Sequence, residues 1–208
     1  MVIDFSLPTH LRQFELVVDG GSLYVNPHYL AEISPYFNGL CFTNFREMRE
    51  NRVHMEDVNL KEMHELLRCI CPEDFTLENR ITADNFAALI YLSQRFLLQN
   101  LRRELERLCG ETDGVLDDKN IAMPNLVNVL VEATQADFSD SAVRELLRRV
   151  GKFKLDDVTQ LLTKEFPIEI RDPLLKRLEP YFFQAKGICT ERSLYNWNDM
   201  TNNIRLFF

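Results

Sequence analysis

From Phe14 to Asp19 the chain reads Phe-Glu-Leu-Val-Val-Asp, first alternating and then apolar, as a half-buried strand does. Gly20-Gly21 follows as a two-residue hairpin turn, since both positions can take positive φ, and Leu23-Tyr24-Val25 is the returning strand. Pro27 suits the first turn of a short helix over His28–Glu32, which stops before Pro35 because the residue preceding a proline disfavours the αR region. Tyr36–Thr43 reads as a second short helix, and Asn51–Met55 alternates as a third strand.

The period then changes. Asp57 or Asn59 can cap a helix whose apolar positions Met63, Leu66, Leu67 and Ile70 recur at steps of three and four, and Pro72 closes it. Thr82 is placed to cap a helix over 83–92, with Phe86, Leu89, Ile90 and Tyr91 inward. Residues 95–108 make a further helix, with Phe96, Leu97, Leu101, Leu105 and Leu108 on one stripe. Gly110–Asp118 is the one clear break in composition, and the sequence divides there. Beyond it, 125–134, 140–150, 155–164 and 172–183 are expected as amphipathic helices, while 187–208 lacks helical periodicity and carries several aromatics. No internal repeat is visible. The pattern predicts an α+β, mostly helical chain: a first domain over 1–110, a helical region over 111–186, and an aromatic tail over 187–208 packed on the helices.

Composition narrows what such a chain does. In 208 residues there are only 7 Gly and 8 Pro, which argues against a turn-dense sandwich or a disordered linker. The formal charge is −8, and neither side of Gly110 is basic, which speaks against nucleic acid as a partner. Residues 1–8 lack the basic and apolar runs of a signal peptide, and no stretch approaches 18 consecutive apolar residues. A soluble chain of the cytoplasm and/or nucleus is expected, without a membrane partner. Five cysteines (41, 69, 71, 109, 189) and four histidines (10, 28, 54, 64) show neither a disulfide framework nor metal-ligand spacing, so structural thiols, no metal and no cofactor are expected.

The most specific segment is Leu30-Ala31-Glu32-Ile33-Ser34-Pro35-Tyr36-Phe37. It closely resembles the "L-A-x-x-S-P-Y-F" run of BTB/POZ domains, at the same distance after a strand hairpin. Asn51-Arg52-Val53 and Asp57-Val58 fall where that family has its third strand and the "D-V" opening the next helix. Leu66–Pro72 matches the following helix with Cys71 in place of a tyrosine, and 84–108 resembles the closing helix pair. The resemblance covers about 12–110. Leu116 to Val150 is similar to the 3-box or BACK-like helices that follow BTB domains in cullin-3 adaptors of the speckle-type POZ kind, although no MATH, Kelch or zinc-finger sequence is present.

The resemblance implies a BTB/POZ fold, a small sheet flanked by helices, and a non-enzymatic adaptor acting through protein partners. It implies docking on the cullin-3 N-terminal domain through the φ-x-E motif at Phe45-Arg46-Glu47, with Cys71 facing the same partner. It also implies a homodimer through the apolar faces of 2–7 and 28–37, using Ile3, Phe5, Leu7, Tyr29, Leu30, Ile33 and Phe37. The charged pair that many BTB dimers bury is missing, since Gln13 and Pro27 occupy its positions. The pair is lost together, so no buried charge is left unpaired.

Several features keep two readings. Phe45 is either a partner anchor or half-buried beside a solvated charge. Arg144, Arg148, Arg149, Lys152 and Lys154 form either a patch for an acidic partner or a solvated helix end that suits the dipole. Trp197, with Tyr195 and Phe207, either anchors a partner or packs back on the C-terminal helices. Glu47 with Glu50, and Glu104 with Glu106, read as solvated faces rather than catalytic pairs, and no nucleophile, base or phosphate loop is arranged. The function expected is a substrate receptor of a cullin-3 ubiquitin ligase. The alternative is a dimerising or heteromeric scaffold that does not bind cullin.

Overall fold

The computed structural model describes residues 3–42, 49–71, 80–111, 114–117 and 121–185. The chain forms two compact units, residues 1–143 and 144–208, so the composition break at 110–118 falls inside the first. The architecture is the small sheet with many helices that the pattern predicted.

Strands β1 (Phe14–Asp19) and β2 (Gly21–Val25) form the antiparallel hairpin, with Leu16 opposite Leu23. The turn needs only one left-handed glycine: Gly20 has φ +99°, while Gly21 is already the first residue of β2. Strand β3 (Arg52–Asn59) lies parallel to β1 on its other side, giving the order β2-β1-β3. It runs four residues beyond the expected Met55. Asp57 takes φ +58° and the register with β1 shifts between Val17 and Asp19, as a bulge requires. Between the pairs made by Val17 and Asp19, β3 has three residues more than β1, an odd number that re-aims Val58, so Val53, Met55 and Val58 are all buried. With Phe14, Leu16, Val18, Leu23 and Val25 they make the apolar side of the sheet.

Helix α1 (Pro27–Ile33) is capped by Asn26, whose Oδ1 accepts from the backbone N–H groups of His28 and Tyr29. Helix α2 (Pro35–Phe42) follows after Ser34. Helix α3 (Leu60–Ile70) is capped by Asn59, which accepts from Glu62 N–H at 2.9 Å, so of the two expected caps it is Asn59 that serves. Its Met63, Leu66 and Leu67 are fully buried, as their spacing predicted.

Helix α4 spans Phe86–Arg95 and α5 spans Gln99–Cys109, a division that differs from the expected 83–92 and 95–108. The break falls at Leu97, a non-glycine residue at φ +53° that is 44% exposed rather than part of the buried stripe. Phe96 beside it is fully buried, with ring centroids 5.3 Å from Tyr36 and 5.2 Å from Phe37. The buried Ser34 hydroxyl donates to Phe96 O at 2.6 Å and accepts from Phe37 N–H at 3.1 Å, pinning the α4–α5 corner to the α1–α2 joint.

Helix α6 (Met123–Gln135) packs on α4, carrying Leu126, Val127, Val129, Leu130, Val131 and Ala133 into the same core. Helix α7 (Asp140–Val150) continues into the second unit, where α8 (Leu155–Glu165) and α9 (Ile168–Ala185) pack together. Leu146, Leu147, Val150, Val158, Leu162, Leu174, Leu178 and Phe182 are the buried large apolar residues among those described there. Helix α9 starts four residues before the expected Asp172 and holds Pro173 and Pro180 within it.

Candidate protein-docking site

The predicted docking motif Phe45-Arg46-Glu47 lies outside the described residues. Cys71, the fourth predicted residue, ends α3 as its C-cap and is half-exposed, with its N–H donating to Leu67 O at 2.8 Å. The last carbonyls of a helix need donors from elsewhere. Here Arg80 supplies them: its Nη1 donates to Arg68 O at 3.0 Å and to Cys71 O at 3.2 Å. Tyr29 reaches across from α1 and donates its hydroxyl to Ile70 O. Asn85, itself buried, donates to Arg80 O at 2.9 Å and to Glu65 Oε2 at 3.1 Å. The Cys69 thiol donates to Arg80 O at 3.4 Å. A cation placed over the negative end of α3 is favourable in itself, and its bonds fix the backbone that presents Cys71.

Sequence reasoning did not single out Arg80 or Asn85. Thr82-x-x-Asn85 was the available signal, since Asn85 Oδ1 accepts from Thr82 N–H at 2.8 Å while Thr82 Oγ1 accepts from Asn85 N–H at 3.4 Å. The reciprocal pair closes the turn before α4, whose helical bonding starts at Phe86 rather than at Ala83.

The residues assigned to a dimer face divide by burial. Phe5, Leu30 and Phe37 are at most 1% exposed and belong to the chain's own core, so they present no surface. Phe5 is held by Tyr24 N–H donating to its carbonyl at 2.7 Å, and its ring meets His64 edge-on at 5.8 Å. Ile3, Tyr29 and Ile33 are half-buried, and Leu7 is 61% exposed. Leu11, 62% exposed, and Phe42, whose ring lies 4.8 Å from His28, were not foreseen as exposed apolar residues. Ala31, Ile33, Pro35 and Asn38 face Leu97 and Gln99 across an open groove of about 390 Å³. At the positions of the family's charged pair, Gln13 is exposed and accepts from Asn51 Nδ2 through its carbonyl at 2.7 Å, while Pro27 opens α1.

The thiols are poor candidates for chemistry. Burial pushes Cys41 up to about 11, and burial together with the Glu65 carboxylate pushes Cys69 up to about 11, so both are protonated near neutrality. No group of three or more His, Cys, Asp or Glu is placed to hold a metal ion among the described residues. No described helix is long and apolar enough to cross a membrane. What these residues present is fixed backbone with scattered exposed apolar side chains, an arrangement suited to contact with another protein.

Comparisons with known proteins agree. The chain is 34% identical to BTB and MATH domain-containing protein 38 of Caenorhabditis elegans over 111 residues, 53% of this chain and 28% of that protein. It is 26% identical to cytokinesis defective protein 7 of the same organism over 171 residues, 80% of this chain and 62% of that one. It is 32% identical to BTB and MATH domain-containing protein 36 over 110 residues, 53% of this chain and 32% of the relative. The chain thus matches less than two thirds of the length of each. The family model for the BTB/POZ domain matches residues 5–112, more than half of the sequence, and the chain belongs to that family of protein-interaction modules.

Proposed function

We propose that this chain is a non-enzymatic adaptor that serves as a substrate receptor for a cullin-3 ubiquitin ligase. What supports the reading is the BTB/POZ domain over 5–112, together with the tripeptide Phe45-Arg46-Glu47, which the resemblance of the sequence assigns to the φ-x-E motif. Phe45 supplies an aromatic anchor and Glu47 a carboxylate able to cap or pair with a partner helix. Cys71 adds a smaller contact from the end of α3. The mechanism is proximity: a target held by the adaptor meets the ligase at a raised effective concentration, and the bond-making takes place elsewhere. The adaptor works in the cytoplasm and/or nucleus.

The test is a titration of the full chain with the cullin-3 N-terminal domain by calorimetry, beside Phe45→Ala and Glu47→Ala. Binding of the parent chain is expected, with Phe45→Ala weakening it at least tenfold, as loss of a buried aromatic anchor of about 2 kcal/mol implies. A parent chain that does not bind overturns this reading. The reading that then stands is a dimerising or heteromeric scaffold, favoured by the exposed Leu7, Leu11 and Phe42 and by the thiol at Cys71 where the family has an aromatic.

A further inference from the structure

The groove between the α1–α2 joint and the α4–α5 corner has Ala31, Ile33 and Pro35 as one apolar wall and Leu97 as the other. Both walls are held from within. The buried Ser34 hydroxyl donates to Phe96 O at 2.6 Å, and the Phe96 ring packs 5.3 Å from Tyr36 and 5.2 Å from Phe37. A groove preformed in this way needs little ordering when it binds. Its volume of about 390 Å³ is near the low end of the roughly 300–1,000 Å³ of small-ligand sites, room for a few residues of extended chain rather than a folded surface.

Leu97 points to a use for the groove. It stands at φ +53°, a left-handed backbone that leucine adopts only under strain and that asparagine or glycine adopts readily. Its side chain is 44% exposed, while Phe96 beside it makes the core contact. The chain thus keeps a strained leucine where burial contributes little, and strain of that kind collects at binding sites. The polar groups of the groove are equally free. Asn38, Gln99 and Asn100 are exposed, and their side-chain amides have no hydrogen-bond partner among the described residues. Glu32, also exposed, is the one charged residue lining the groove among those described, and no cation pairs with it there.

These groups define the occupant. An extended peptide presents backbone N–H and C=O groups, and side-chain amides both accept from the first and donate to the second. An aliphatic side chain on it meets Ala31, Ile33, Pro35 and Leu97, and a neighbouring cation meets Glu32. The formal charge of −8 draws partners of the same positive sign. We propose that the groove binds an extended segment of another protein in which an aliphatic residue lies close to a lysine or arginine. The groove includes none of Phe45, Arg46, Glu47 and Cys71, so the inference does not rest on cullin binding.

The test selects a phage library of random short peptides on the full chain, then measures the enriched peptides, made synthetically, by fluorescence polarisation. Enriched peptides are expected to place a Leu, Ile, Val or Met close to a Lys or Arg. Leu97→Asn suits the left-handed backbone, so it should keep or raise the thermal midpoint while weakening the peptide by roughly fivefold or more. Glu32→Lys, at an exposed position, should weaken it by a similar factor. Exchanging the peptide's Lys or Arg for Glu should then restore binding to that variant and abolish it for the parent chain. A library that enriches no peptide overturns the inference, as do peptides without a cation or peptides that bind both variants as tightly as the parent. If no peptide is enriched and Leu97→Asn lowers the mass seen by light scattering, the groove belongs to a second copy and the inference likewise falls.

Discussion

Single atoms decide the close approach at Gly151 in the second unit. A Cβ added at Gly151 would stand 2.6 Å from Tyr181 Cβ and 3.1 Å from that residue's backbone carbon. The neighbour is backbone and the root of a side chain, so it cannot swing away. Gly151→Ala is expected to lower stability by about 1–3 kcal/mol, read as an earlier midpoint in urea unfolding. A second case concerns charge. Burial, and the Glu62 carboxylate, hold the Glu132 carboxyl above the ordinary glutamate range. A carboxyl with a raised folded pKa binds its proton better in the native state. The cost is absent below the unfolded value, grows as pH rises towards the folded value, and is complete above it. Glu132→Gln should therefore raise the thermal midpoint at neutral pH and leave it unchanged at pH values below the ordinary glutamate pKa.

Among elements, α5 serves the ends of its neighbours as well as burying its own stripe. Arg102 Nη2 donates to Ala136 O at 2.5 Å and to Asp137 O at 3.1 Å, with its guanidinium 5.6 Å from the Phe138 ring centroid. One turn on, Glu106 accepts from Ser139 N–H at 2.9 Å. One helix thus puts a cation on the C-terminus of α6 and an anion at the N-terminus of α7, each complementing a dipole end. Arg102→Ala leaves the two carbonyls without those donors and is expected to cost about 1–3 kcal/mol, measured by chemical denaturation. The corner was not legible in the sequence, for a definite reason. Asp137 turns the chain at φ +54°, as Leu97, Asn51 and Asp57 do at their own breaks, and no glycine marks any of them. Periodicity found the strand hairpin and the buried face of α3, because burial at regular steps is what it measures. It did not find Arg80, whose bonds join residues with no shared period, or the start of α9, where Pro167 and Pro173 read as breakers yet lie before and within the helix.

For the whole molecule, the question is how many copies associate. Phe5, Leu30 and Phe37 are consumed by the chain's own core, and Gln13 and Pro27 bring no charge pair. We propose that self-association rests on Leu7, Leu11, Ile33 and Phe42, a small apolar area among the described residues. Light scattering across a dilution series is expected to show a dimer that dissociates at micromolar concentrations, and Leu7→Asp with Leu11→Asp should shift it to monomer. The order β2-β1-β3 bears on how the chain comes to be folded at all. Glu15 pairs with Arg52, so the central strand waits for a partner 37 residues later in the chain. During synthesis at roughly 5–20 residues per second, one edge of β1 stands open for some seconds before β3 emerges. That interval, rather than any weakness of the finished fold, is when this protein is most exposed to mispairing with a neighbouring nascent chain.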